Sequence, residues 1–298
     1  MKEIGKILVY LAAVLTLGAL LAPPLFWLGQ WAAHWPLLKG LGDFGFQKYF
    51  NRAELIAAVV LLWPLIRSLR VTGWRDLGLR HDPMRWPHLF AGFVIGGLVV
   101  IAMATGFLVT GFYQLRGHPD WAALPLIFLS AVVVATLEET LFRGLLLGLC
   151  LRSMRPLSAL FAVTTLFAAL HFLKPDDSFE ITNVHWLSGF ALLPHSFYQF
   201  ANKMLLLAGF STIFVLGWVL GLARLKTGGL WMSIGLHAGV VFLKMGLGKL
   251  ARRKITALPW NGTDIQVGLV PLATLVLMGI LMGLYLTYER KRHPARCR

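Results

Sequence analysis

The sequence predicts an all-α, polytopic transmembrane bundle of about eight spans, and three observations lead there. Hydrophobic residues make up 57% of the 298 positions and charged residues 14%, with a mean hydropathy of +0.70, a balance unlike that of ordinary soluble domains. The apolar residues come in runs of about the twenty residues that a helix needs to cross hydrocarbon. The basic residues, which set a formal net charge of +15, flank these runs instead of forming a stripe on a soluble face. Such flanking charge orients membrane helices, and nucleic acid is excluded as a partner on that ground. Of the two cysteines, Cys150 lies in an apolar run and Cys297 in a basic tail. They offer neither a metal spacing nor a disulfide framework, and Cys150 reads as a packing residue.

Lys2 and Lys6 precede the first span, Ile7 to about Leu28. The charged start resembles a signal peptide, but the run is long and further spans follow. Pro23-Pro24 is expected to break or kink it. The stretch Trp31 to Arg52 reads as interfacial, and the second, short span as about Leu55–Ile66, with a start near Ala53 as the alternative. Arg67, Arg70, Arg75, Arg80 and Arg85 then form the clearest cytoplasmic loop. Span three, about His88–Tyr113, places Gly92 and Gly96 at a spacing that lets helices approach closely. Span four runs from about Trp121 to Leu151, and span five from about Leu157 to Phe172. Leu173–Lys203, with Lys174, Asp176, Asp177, Glu180, His185 and His195, is expected to be a loop with an interfacial or re-entrant piece. Spans six (about Met204–Leu222), seven (about Leu230–Leu247) and eight (about Val267–Tyr288) complete the bundle.

This order puts both termini in the cytoplasm. One segment resists it: Lys244, Lys249, Arg252, Arg253 and Lys254 fall on an outer loop. Either that loop is re-entrant or interfacial, or the span count is off by one. The chain is expected to divide into an N-terminal transmembrane region of about three spans (1–120), a core (121–250), and a last span with its basic cytoplasmic tail (251–298).

The chemistry concentrates in Ala135-Thr-Leu-Glu-Glu-Thr-Leu-Phe-Arg-Gly144. An ionisable side chain in hydrocarbon costs a few kcal/mol or more, and three of them here require partners, water or a task. Within or at the close of apolar spans stand Glu138, Glu139, Arg143, His171 and His237. Glu139 and Arg143 are i and i+4 and share a helix face, while Glu138 is rotated by about 100°. One carboxylate can therefore be held charged by the arginine while its neighbour takes and gives a proton, as a general base for water does. His171 and His237 are suited to hold that water or to donate to an oxyanion. The plainer reading makes Glu139–Arg143 a structural ion pair and His171 an interfacial residue. His237, mid-span between Gly235 and Gly239, is harder to set aside, although those glycines also serve helix contact. If a divalent metal such as zinc takes part, Glu138, His171 and His237 are its nominees. No His-Glu-x-x-His pattern requires one. Asn261-Gly-Thr263 matches a glycosylation triplet that is common by chance.

In order and placement, Glu138-Glu139-x-x-x-Arg143, then Phe167-x-x-x-His171, then His237 on a later helix resemble the CAAX prenyl endopeptidase and bacteriocin-processing family. The likeness covers about Leu124 to Leu247. It implies an integral membrane protein, in a bacterial inner (plasma) membrane, that cuts a peptide bond near the end of a lipidated, tail-anchored or peptide substrate. By the resemblance Glu138 activates water, His171 helps hold it, Glu139 and His237 serve the tetrahedral intermediate, and Arg143 orients the glutamates. The family is described both as metal-dependent and as acting through glutamate alone. Val241 stands where the family has Asn four residues after the last histidine. Either Asn202 or a loop residue substitutes, or the water is held less tightly, or activity is lost; the retained buried charges argue against loss. Other functions compatible with the residues are a non-catalytic scaffold or immunity-type protein and a proton-coupled transporter. The transporter would call for repeated halves, which the sequence does not show.

Overall fold

The computed structural model describes residues 2–69, 77–79, 83–173, 179, 181–201, 203–262 and 265–292. Arg70, Arg75, Arg80, Lys174, Asp176, Asp177, Glu180, Asn202, Thr263 and Cys297 lie outside the described residues. In chain order the helices are α1 (Lys2–Ala32), α2 (Phe46–Ser68), α3 (Arg85–Val109), α4 (Leu124–Glu139), α5 (Leu147–Cys150), α6 (Pro156–Leu170), α7 (Ser188–His195), α8 (Lys203–Thr227), α9 (Trp231–Leu250) and α10 (Leu269–Arg292). Two three-residue strands, β1 (Tyr113–Leu115) and β2 (Ala251–Arg253), pair antiparallel with Tyr113 opposite Arg253. The chain is an all-α polytopic bundle. Among the described residues seven helical segments are long and apolar enough to cross a membrane, and Pro156–Leu170 is a shorter apolar helix at the place of the fifth expected span.

Two boundaries differ from expectation. Helix α1 runs unbroken through Pro23 and Pro24, because a membrane helix can satisfy the carbonyls that proline frees without leaving the helical path. Helix α2 begins at Phe46, nine residues before Leu55. Its first two turns bury Phe46, Tyr49 and Phe50, so the segment that reads as interfacial is held by aromatic packing.

By its internal contacts the chain divides into two units, Met1–Thr72 with Leu170–Leu206, and Gly73–Ala169 with Leu207–Arg298. In the first, α1 and α2 are joined by small residues against aromatics. Ala19, Ala22 and Ala53 pack with Phe46 and Phe50, and Leu192 of α7 closes the cluster. Tyr10 donates its hydroxyl to the Ala58 carbonyl at 2.9 Å. Within the stretch expected to be a loop stands the short helix α7, whose Gly189 lies so close to the Ala19 backbone that a methyl group would not fit.

In the second unit α3 and α9 lie side by side with their glycines facing. A methyl group on Gly92 or Gly96 would strike the backbone around Met232 and Leu236, and one on Gly235 or Gly239 would strike the Leu89 or Phe93 carbonyl. Both small-residue patterns are therefore used for contact. This fixes the rotation of α9. At about 100° per residue, a side chain two positions from both glycines points to the opposite side of the helix. That residue is His237. Val99, Val100, Leu220, Met232, Leu236, Met278 and Met282 fill the surrounding core.

Candidate active site

Helix α4 starts cleanly. Asp120 accepts from the Ala123 amide at 3.2 Å, and Pro125 occupies the first turn, where its missing N–H is not needed. Farther along, the Thr136 and Thr140 hydroxyls donate to the carbonyls four residues back, each at 2.7 Å. Such back-bonding loosens a helix locally. At Thr140 the winding widens into a π-helical segment, Thr140–Leu146, a feature found often at functional sites. Glu138 and Glu139 are the last α-helical residues before it, and Arg143 lies inside it.

Glu139 is fully buried and Arg143 nearly so. Arg143 Nη1 donates to Glu139 Oε1 at 2.9 Å, and Nη2 donates to the Gly217 carbonyl of α8 at 3.1 Å. The guanidinium lies 4.2 Å from the centre of the Phe167 ring on α6. Gly217 makes room for this contact, since a methyl group there would crowd Phe167 at 3.0 Å and Arg143 Nη2 at 3.3 Å. An arginine held by two acceptors and an aromatic face is well compensated for its burial.

His237 completes the cluster. Its Nδ1 stands 2.8 Å from the same Glu139 Oε1. Against a Glu139 carboxylate held ionised by Arg143, which only accepts, Nδ1 is the donor. The ring packs edge-on to Phe167, and its Nε2 lies 3.9 Å from Glu138 Oε2. Glu138 differs from its neighbour in exposure: its side chain keeps 29% of its surface, that of Glu139 none. Helix rotation thus separates the carboxylates, one locked between arginine and histidine, the other at the edge of the cluster.

Of the residues nominated by sequence, Glu138, Glu139, Arg143 and His237 are brought together in the second unit. His171 belongs to the first unit, where it sits half-buried in the turn after α6. His185 and His195 lie there too. His185 is exposed, and His195 stacks on Phe179. Among the described residues no group of three His, Cys, Asp or Glu is placed to hold a metal ion. With Nδ1 committed to Glu139, His237 has only Nε2 to offer a cation. Within the second unit this leaves Glu138 and His237 Nε2 as candidate ligands, and a catalytic zinc takes three from the protein.

Three features were not anticipated. The Gly217 carbonyl is a partner of Arg143, a contact that residue type and spacing do not reveal. Glu54 lies within a span because α2 starts early. In the second unit His88 Nε2 and Glu289 Oε2 form a buried pair at 2.9 Å, with the Tyr285 hydroxyl 3.4 Å from Glu289 Oε1. Nothing short of the tertiary contact reveals a pairing 201 residues apart.

Residues 120–243 match the model of the family described as type II CAAX prenyl endopeptidase Rce1-like. This stretch is an Rce1-like domain. No curated protein and no solved structure matches the chain. The Rce1-like domain takes in α4, the π segment, α5 to α8 and α9 as far as Leu243, and so includes Glu138, Glu139, Arg143, His171 and His237. Its family is one of proteases, which supports a CAAX-type intramembrane protease acting on a protein or peptide. The N-terminal helices α1 to α3 and the last helix α10 lie outside the Rce1-like match.

Proposed function

We propose that this chain is an intramembrane endopeptidase that hydrolyses a peptide bond near the end of a membrane-associated or lipidated substrate, using a water activated by Glu138. The observation that carries this reading is the unequal setting of two adjacent carboxylates. Glu139 is spent on Arg143 and His237, while Glu138 stands partly exposed with Oε2 near His237 Nε2.

In the proposed route Glu138 takes a proton from water as the water oxygen bonds to the scissile carbonyl carbon. The carbonyl oxygen becomes an oxyanion. Glu138 then gives the proton to the amide nitrogen as the C–N bond breaks, leaving a carboxylic acid and an amine. Glu139 fixes the His237 ring so that Nε2 serves the water or the oxyanion, and Arg143 fixes Glu139. His171 is proposed as a second holder of the water on the family motif alone. Val241, one turn after His237, offers no hydrogen bond, so no group at that position shares the work. No step is drawn through a metal.

Wild type and Glu138→Gln are compared in membranes with lipidated and unlipidated candidate peptides, and products are read as new termini by mass. Cleavage is expected in wild type and a loss of about 10²–10⁴-fold in the variant. Equal cleavage by both would remove Glu138 from the mechanism. No new terminus from any substrate, with the protein intact, would count against a protease.

A further inference from the structure

The basic segment that fits no simple topology becomes an ordered surface in the second unit. Strands β1 and β2 join the chain leaving α3 to the chain leaving α9. The Lys254 amide extends the ladder to the Phe112 carbonyl at 2.8 Å. Arg116 is pinned by its Nη2 to the Gly248 carbonyl at 3.2 Å. The turn beyond β2 is held by the Ala257–Asn261 bridge and by buried Asn261, whose Nδ2 donates to the Ile255 carbonyl. Asn261 is therefore a structural residue of the turn rather than an exposed acceptor for sugar.

On this frame Arg116, Lys249, Arg252, Arg253 and Lys254 are all exposed. Among the described residues the acid beside them is Asp120, with Oδ2 3.8 Å from Lys249 Nζ; Asp264 lies outside the described residues. Exposed apolar side chains share this end of the unit: Trp121, Ile255, Leu258 and Trp260. Tryptophans seat at the headgroup level of a bilayer, and clustered cations there attract anionic lipid.

We propose that this rim, the β1–β2 ribbon with residues 254–260, is a docking surface for anionic phospholipid headgroups of the leaflet it faces. The cations meet the headgroup phosphates while Trp260, Leu258 and Ile255 enter the acyl boundary. Held on a hydrogen-bonded ribbon, the charges stay where the headgroups are. The excess of charge on an expected outer loop then has a local use and is not a topology signal.

The test uses the full chain in nanodiscs of phosphatidylcholine with phosphatidylglycerol, reading the lipid retained on the protein by native mass spectrometry. Wild type is expected to retain phosphatidylglycerol preferentially. Arg252→Gln/Arg253→Gln/Lys254→Gln is expected to lower that preference by about fivefold or more, and raised salt to weaken it in wild type. Arg252→Lys/Arg253→Lys, which keeps the charge, should retain it, and this guards against misfolding as the cause. Arg290→Gln/Lys291→Gln/Arg292→Gln, at the other end of the unit, should also retain it. An unchanged preference in the ribbon triple variant, or a loss only in the α10 variant, overturns the proposal. So does a ribbon variant that weakens binding of an acidic peptide but leaves lipid retention intact, since the surface would then belong to a peptide.

Discussion

Among the described residues of the second unit stand two buried glutamate–histidine pairs whose surroundings differ. In one, Glu139 meets His237 Nδ1 at 2.8 Å; in the other, Glu289 meets His88 Nε2 at 2.9 Å. Both are shielded from solvent, and both join distant helices. The difference lies in what surrounds them. Glu139 is also bound by Arg143, and the second nitrogen of its histidine lies near another glutamate whose side chain is partly exposed. Glu289 is next to a tyrosine hydroxyl and ties α10 to the start of α3. Burial and pairing by themselves therefore mark a staple. A site needs, in addition, a titratable group left partly open beside the locked ones.

The sharpest way to break this comparison is to neutralise one glutamate from each region. Glu138→Gln is expected to lower cleavage by about 10²–10⁴-fold with little change in thermal stability. Glu289→Gln, assayed on the same substrate, should leave the turnover rate near that of wild type. If the Glu289 variant loses as much turnover while remaining folded, the distinction between staple and site is wrong.

Next in size is the arginine. Arg143→Met leaves Glu139 buried without its cation, at an expected cost of about 3–5 kcal/mol in stability. A melting temperature in detergent unchanged from wild type would show that the cluster does not depend on this pairing. Gly239→Val should follow, at about 1–3 kcal/mol, because the side chain must push α3 away from α9. Cleavage should fall with it, since His237 rides on the same helix. His88→Gln is expected to cost about 1–3 kcal/mol, from the partner it leaves unsatisfied, with activity retained at temperatures where the protein stays folded. The smallest effect concerns metal. A chelator is expected to change the cleavage rate by less than about twofold, because proton transfer to a carboxylate accounts for the proposed route. Loss of activity restored by zinc would move water activation from Glu138 to a cation.

Much of this was legible in the chain, for identifiable reasons. Glu139 and Arg143 could be paired on paper because four residues bring side chains to one helix face. Gly92, Gly96, Gly235 and Gly239 could be read as contact positions because close helix approach leaves room for little else. Other features left no such trace. The π segment keeps the same polar and apolar residues that an α-helical turn would carry, Thr140 and Arg143 among leucines and Phe142, so the sequence does not register a wider turn. Strands of three residues read as loop. Glu54 stands at the edge of the expected second span, where an acidic residue reads as interfacial, and only the early start of α2 puts it inside. His88 and Glu289 sit at span ends, where polar residues are unremarked, and their separation in sequence hides their contact.

By itself the sequence determined that this protein is a membrane bundle and that Glu138, Glu139, Arg143 and His237 stand within its apolar spans, because hydrocarbon makes each such group costly enough to stand out from composition. Tertiary structure alone decided which histidine meets which glutamate, and that Glu139 is locked while Glu138 keeps an open edge. Those outcomes depend on the rotation of α9 against α3 and on the Gly217 carbonyl reaching Arg143. Both are set by contacts between segments far apart in the chain, and local periodicity carries no record of them.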